Sequence, residues 1–175
     1  MKQHIFVATD GSDTAMRAVE MAAEMAAKFE VPLTIGHVLH HGRPPEELQR
    51  MARVEHLVET ARTKSEVDFP NVPDTMLNLF AETRPGDESV RLVTLIGDEI
   101  LQGAADAAKR LGAPTVRTAS SQGDTADAII DMAQEAGADM IVVGHRGLGR
   151  IKRAVVGSVA QKVLNHAECS VVCVR

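Results

Sequence analysis

The chain has 175 residues, of which 45% are hydrophobic, and its formal net charge is −5. This length suits one domain with a proper core and is short for two. Because the charge is negative and the sequence contains no Trp and no Tyr, it offers neither a broad phosphate-binding surface nor aromatic platforms for stacking bases, so nucleic acid is not an expected partner.

The sequence shows no export signal, no membrane span and no disulfide pair. Its amino-terminal stretch, MKQHIFVATDGS, holds an apolar run of only about five residues, whereas a span needs about 20. We therefore expect a cytoplasmic protein with no membrane partner.

Cys169 and Cys173 lie in a predicted strand, where they would be about 13 Å apart. Because a disulfide needs Cα atoms within about 7 Å, we expect two free thiols.

Short apolar runs alternate with helical patterns along the chain. The runs predict five strands, at residues 4–8, 33–38, 115–119, 139–144 and 170–174. Runs such as MIVV and VVCV lack alternation, as in parallel strands that are covered on both faces. Helical spacing predicts one buried face made of Ala15, Ala18, Val19, Ala22, Met25, Ala26 and Phe29, and another made of Ala128, Ile129, Met132 and Ala136. This alternation predicts an α/β fold, a three-layer sandwich with a five-stranded parallel sheet.

The connection after the second strand breaks this rhythm. It carries roughly 45 residues more than a βα connection requires, since such connections usually have about six residues. Residues 44–64 begin with prolines and show an apolar face at helical spacing, so a helix is predicted there. The crossover helix resumes near residue 88 or 90 and ends at Gly112. Within one domain of residues 1–175, this insertion at about 42–87 would be either a lid over a site or an arm for a partner subunit.

A glycine-rich basic stretch, GHRGLGRIKRAVVGS at residues 144–158, joins the fourth strand to the last helix. Glycine lets main-chain N–H groups approach an anion, and a helix N-terminus attracts negative charge, so the stretch suits a phosphate-bearing ligand. If the strand order is 3-2-1-4-5, it reverses between strands one and four, and Asp10 and Gly144 would face each other across one crevice. The alternative is a solvated basic loop. Ser158 could also be a helix N-cap, a role that is compatible with phosphate binding.

The chain resembles the universal stress protein family. The resemblance is carried by the opening IFVATDGSDTA, the HV that ends strand two, the GDTADAII stretch, the closing VLNHAECSVVCVR and a G-x2-G-x9-G-S pattern formed by Gly144, Gly147, Gly157 and Ser158. It covers about residues 3–41 and 88–175. In that family the glycine pattern marks the ATP-binding subgroup. The resemblance therefore implies ATP, or ADP or AMP, as a bound ligand, with Mg²⁺ held through the phosphates, and a homodimer formed through the C-terminal strand.

The same resemblance assigns roles to individual residues. Asp10 would meet the adenine end of the nucleotide, helped by the main chain at Ala8, Thr9 and Val38. Ribose and phosphates would be surrounded by Gly144, Gly147, Gly157, Ser158 and Val159, and Val143, His145 and Arg146 are also expected to bind the nucleotide. Asp10 has a structural alternative, an Asx turn or a helix cap. The basic side chains Arg146, Arg150, Lys152 and Arg153 have one too, because exposed cations often only face solvent.

Other signatures of nucleotide chemistry are missing from the sequence. There is no G-x-x-x-x-G-K-[ST], no G-x-G-x-x-G after a strand, and no Ser/His/Asp or Cys/His set at a motif spacing. His37, His40 and His41 cluster without a second ligand group, so no metal site is predicted. We expect a regulatory nucleotide-binding protein of the stress response, a switch or sensor and not an efficient enzyme, with slow ATP hydrolysis left open. The alternatives are a module for an unknown protein partner with a vestigial site, or an ATP-using enzyme of the related adenine-nucleotide α/β group.

Overall fold

The computed structural model describes residues 3–39, 87–147 and 156–175. Within these ranges it contains five strands and four helices: β1 (Ile5–Ala8), α1 (Asp13–Phe29), β2 (Leu33–Leu39), α2 (Asp87–Arg110), β3 (Val116–Gln122), α3 (Thr125–Glu135), β4 (Met140–Gly144), α4 (Ser158–His166) and β5 (Ser170–Val174). The five predicted strands are confirmed. The insertion predicted at 42–87 lies, apart from its last residue, outside the described residues, and both of its possible roles stay predictions.

The sheet is parallel throughout, and its strand order is β3-β2-β1-β4-β5, as predicted. The central strand β1 pairs with β2 on one side, where Ile5 is opposite Leu33, and with β4 on the other, where Ile5 is opposite Met140. The chain winds outward from β1 to β3 and then returns past β1 to β4. The order therefore reverses between β1 and β4, and ligands of open α/β sheets bind beyond the carboxyl ends of two such strands.

Helices cover both faces of this sheet. The helices α1 and α2 pack on one face, over β-strand residues such as Val7 and Ile35. The helices α3 and α4 pack on the other face, over Phe6, Ile141 and their neighbours. Successive residues of β1 point alternately into these two cores, so each of them is buried. This double burial explains why the central strands read as unbroken apolar runs.

Two expectations about burial are wrong in detail. Phe29, predicted on the buried face of the first helix, is 45% exposed. It is the last residue of α1, and the chain turns away at Glu30, whose φ of 56° ends the helix. β5 was expected to be covered on both faces, yet most of its side chains are only half-buried. It lies at the edge of the sheet that the described residues form, where its strand neighbour is β4.

Short polar contacts set where the helices begin. The Ser12 hydroxyl accepts a hydrogen bond from the backbone N–H of Ala15 at 3.3 Å and so caps α1. Asp124 caps α3 and also accepts from Lys162 of α4 at 3.1 Å. The Lys162 ammonium, together with the backbone N–H groups of the cap, lowers the pKa of the Asp124 carboxyl. This contact ties α4 to the start of α3.

A matched pair of glycine substitutions tests the packing of the central strands. Gly36 of β2 faces the Phe6 ring, and a Cβ there would run into that ring. Gly36→Ala should therefore destabilise the protein by about 1–3 kcal/mol through overpacking. At Gly103, an exposed position in α2, a Cβ would enter open space, so Gly103→Ala should stabilise the helix by up to about 1 kcal/mol. Urea unfolding measures both changes, and effects of the same sign would contradict this packing.

Candidate functional site

The carboxyl ends of β1 and β4 bring two segments together, one at Thr9–Ser12 and one at His145–Gly147. Gly147 lies directly against the Asp10 side chain, and a Cβ on Gly147 would run into the carboxylate oxygen Oδ2. The predicted meeting of Asp10 with the glycine stretch is therefore present, through Gly147. Gly144 instead packs on the first turn of α1, because a Cβ there would lie 3.1 Å from the Thr14 carbonyl.

The turn after β1 is held by its own side chains. Thr9 Oγ1 accepts a hydrogen bond from the N–H of Gly11 at 3.2 Å, and Asp10 Oδ1 accepts one from the N–H of Ser12 at 3.0 Å. Gly11 has a φ of 79°, in the left-handed region that favours glycine. The Asx turn that was an alternative for Asp10 is thus formed by one carboxylate oxygen, while the other oxygen faces Gly147.

His37 of β2 also stabilises the turn after β1. Its side chain is 2% exposed, and its Nδ1 donates to the carbonyl of Thr9 at 2.8 Å. The N–H of Thr9 donates to the carbonyl of Gly36 at 2.9 Å. Both main-chain groups of Thr9, which the resemblance assigns to adenine, therefore already have partners in the protein, although a carbonyl oxygen keeps a second lone pair.

The start of α4 forms the other end of the crevice. Gly157 is its N-cap and supplies no capping side chain, and its N–H donates to the carbonyl of His145 at 2.7 Å. Ser158 is the first residue of the helix, so the N-cap role considered for it is wrong. The carbonyl of Gly157 accepts from Gln161 at 2.9 Å, which places the N–H groups of Ser158, Val159 and Ala160 in the first turn, where a helix has no acceptors of its own.

His145 connects this crevice to the last strand. Its backbone N–H donates to the carbonyl of Val174 at 2.6 Å, and its ring nitrogen Nδ1 reaches the same oxygen at 3.1 Å. Its own carbonyl accepts from Gly157. The end of β4, the end of β5 and the start of α4 therefore meet at this residue.

The remaining predicted site residues lie at different depths. Ala8, Val38 and Val143 are buried in the core beneath α3 and α4. Arg146 and Val159 are half-buried, whereas Gly147 and Ser158 are exposed. Arg150, Lys152 and Arg153 lie outside the described residues.

Sequence reasoning missed two residues that shape the turn after β1. Gly11 is required by its positive φ, and the D-G-S run after a strand is a turn signal that could have identified it. His37 was weighed only as a metal ligand, whereas it braces the Thr9 carbonyl. A histidine near the end of an otherwise apolar strand is a weak signal, because its partner is far away in the sequence.

Other reactive groups lie away from this crevice. Cys169 and Cys173 form no disulfide, as predicted, and pack half-buried against the core beneath α3 and α4. Burial raises the pKa of the Cys173 thiol, against the opposing charge of Arg175. Residues 3–39, 87–147 and 156–175 contain no group of three His, Cys, Asp or Glu side chains that could hold a metal ion. The helices described in those ranges include none with the length and apolarity to cross a bilayer.

Comparison with known proteins places this geometry in context. The chain matches the sequence model of the universal stress protein family over residues 1–175, a span that includes the 42–87 segment. Universal stress protein YxiE of Bacillus subtilis is 31% identical over 175 residues, covering 100% of both chains. Universal stress protein Rv1636 of Mycobacterium tuberculosis is 29% identical over 173 residues, covering 98% of this chain and 94% of its own.

Solved structures share the architecture. A universal stress protein in complex with cAMP is 25% identical, with a TM-score of 0.58 over 99% of this chain and 97% of its own. UspA from Lactobacillus plantarum is 20% identical, with a TM-score of 0.69 over 99% of this chain and 98% of its own. The second likeness shows the fold, a five-stranded parallel sheet with helices on both faces.

A double-mutant cycle tests the contact that closes the crevice. Gly147→Ala would push the Asp10 carboxylate away from Ser12, at an expected cost of about 1–2 kcal/mol in the free energy of unfolding. In an Asp10→Ala background the same change should cost less, because the obstructing oxygen is gone, with a coupling of at least about 0.5 kcal/mol. Urea unfolding of the four proteins gives this coupling. Strictly additive costs would show that the two residues do not touch.

Proposed function

The chain belongs to the universal stress protein family, and from that premise we propose that it is a regulatory protein of the stress response that binds an adenine nucleotide, ATP or its ADP or AMP counterpart. The observation that carries the proposal is the convergence of Asp10 and the N-terminus of α4 on one short segment, His145–Gly147. Such a segment spans at most about 11 Å when extended. One small ligand can therefore reach both ends of it.

The two ends differ in chemistry in the way a nucleotide requires. The first turn of α4 presents backbone N–H groups and the positive end of the helix dipole, both of which favour phosphate. Gly157 leaves the approach to that turn free of a side chain. At the other end, the Asp10 carboxylate can accept hydrogen bonds from a ribose hydroxyl or an amino group. Mg²⁺ would arrive coordinated by the phosphates.

A solved relative supports an adenine nucleotide as the ligand. The universal stress protein in complex with cAMP aligns with 99% of this chain. Its ligand and ATP share the adenine ring, the ribose and a phosphate. We assign ATP itself from the G-x2-G-x9-G-S pattern of Gly144, Gly147, Gly157 and Ser158, the pattern that marks the ATP-binding subgroup.

We propose a switch or sensor, since the sequence carries no Walker-type motif and no catalytic set at a motif spacing. A cytoplasmic location agrees with two cysteines that form no disulfide, because disulfides are rare in reducing compartments. The competing function, a module for a protein partner with a vestigial site, would follow if the protein bound no nucleotide.

A negative charge introduced at Gly157, the N-cap of α4, tests the proposal. Gly157 has an extended backbone, φ −71° and ψ 157°, which any residue adopts, and both Asp and Asn are good N-caps, so both variants should fold. Wild type should bind ATP with a roughly micromolar dissociation constant in calorimetric titration. Gly157→Asp should weaken binding at least about tenfold more than Gly157→Asn, because only Asp adds a negative charge beside the phosphates.

Equal affinities of the Asp and Asn variants would show that phosphate does not bind at this helix end. No binding by the wild-type protein would remove the nucleotide proposal altogether. Urea unfolding of both variants serves as the folding control.

The exposed edge of β5 generates a second test. Its half-buried apolar side chains would make an open edge strand prone to aggregation, and we propose that β5 pairs across a homodimer axis. Sedimentation at micromolar concentration should give a dimer. Val171→Lys should shift it toward monomer, whereas Leu164→Lys, at a 42% exposed apolar residue of α4, should not. A wild-type monomer, or a dimer lost only with the Leu164 change, would refute the pairing.

A further inference from the structure

We propose that His145 is a positioning residue that fixes the start of α4 to the end of β5, and through it holds the phosphate end of the crevice in place. The nucleotide readout of this proposal rests on the proposed function. The structural readout does not, since it concerns hydrogen bonds within the protein.

The first step is the double hydrogen bond to Val174. Gly144, the last residue of β4, is opposite Val174 of β5. The next residue adds a backbone bond from its N–H to the Val174 carbonyl at 2.6 Å, and its ring Nδ1 reaches the same oxygen at 3.1 Å. A carbonyl oxygen only accepts, so Nδ1 of His145 carries the proton. The two donors occupy both lone pairs of that oxygen.

The second step concerns what the hydrogen bond of the His145 ring adds to the hydrogen bond of its backbone N–H. Any residue other than proline at this position would donate its backbone N–H to Val174. Only a side chain with a hydrogen-bond donor at the position of Nδ1 can form a second bond to β5, and that bond restricts the χ1 torsion of the side chain. Val174 is 6% exposed, so the residue that anchors the ring is buried. The ring therefore limits how the peptide unit after His145 can rotate.

The third step runs from that peptide unit to the helix. The carbonyl of His145 accepts the N–H of Gly157 at 2.7 Å, and Gly157 is an N-cap that provides no side-chain hydrogen bond. This backbone contact thus joins the start of α4 to the end of β4, while Lys162 attaches the middle of the helix to α3 and Ala160 and Val163 pack in the core. A rotated His145 carbonyl would turn the first N–H groups of α4 away from the crevice.

This assignment revises the role predicted for His145. The residue was expected to bind the nucleotide, whereas Nδ1 of its ring is bonded to the last strand. Its effect on a nucleotide is therefore indirect, through Gly157 and the first turn of α4.

Two amide substitutions separate the ring bond from the rest of the side chain. Asn places its amide nitrogen close to where Nδ1 of histidine stands, whereas Gln places it close to Nε2. His145→Asn should therefore keep the bond to Val174, and His145→Gln should lose it. Because the side chain is only half-buried, both variants should fold, which urea unfolding can check.

Amide hydrogen exchange without nucleotide is the primary measurement. Exchange at the Gly157 N–H should accelerate about tenfold in His145→Gln and stay within about threefold of wild type in His145→Asn. Nitrogen-15 spectra of the wild-type ring should show the tautomer protonated at Nδ1. Equal exchange in the two variants, or a ring protonated only at Nε2, would overturn the proposal.

Calorimetry with ATP then separates this inference from the proposed function. His145→Gln should bind ATP about fivefold to tenfold more weakly than His145→Asn. Loss of affinity in His145→Gln without faster Gly157 exchange would mean that the ring contacts the nucleotide directly, which overturns the positioning role. If wild type binds no ATP, the proposed function fails, and the exchange experiment still decides the role of His145.

Discussion

The candidate site depends on one constraint, the reversal of strand order between β1 and β4. The chain leaves β1 toward β2 on one side and leaves β4 toward β5 on the other, so the segments after these two neighbouring strands diverge from a common point. Asp10 and Gly147 remain in contact at that point. A sheet in which β1 and β4 were not neighbours would separate the turn that holds Asp10 from the helix end that favours phosphate.

Most backbone groups around that point are already used by the protein, and this decides what a ligand can bind. Thr9 gives its N–H to Gly36 and receives His37 at its carbonyl, and Gly157 gives its N–H to His145. Among the described residues, the first turn of α4 and the Asp10 carboxylate lie at the two ends of the His145–Gly147 segment. The glycines consequently act in three ways: Gly144 allows close packing on α1, Gly147 makes room for Asp10, and Gly157 begins α4 without a side chain.

The sequence predicted the architecture well and the roles within the site only in part. Apolar runs and helical stripes depend on neighbouring residues, so the strands, the helices and the parallel sheet could be read from them. The errors come from partners that are distant in sequence. His37 binds Thr9 and His145 binds Val174, each across nearly thirty residues, and no periodicity reveals such pairs. The burial of Phe29 was overestimated because the spacing of apolar residues along a helix does not show where that helix leaves the sheet.

The most direct test of the central claim is a map of backbone amide shifts during titration of the protein with ATP. Binding at the switch point predicts saturable shifts at the carboxyl edge of the sheet, in Thr9–Ser12, His145–Gly147 and the first turn of α4. Gln3, Val116 and Asp139, near the opposite edge, should stay unchanged. Shifts confined to that opposite edge, or no shifts at millimolar ATP, would contradict a nucleotide site between β1 and β4.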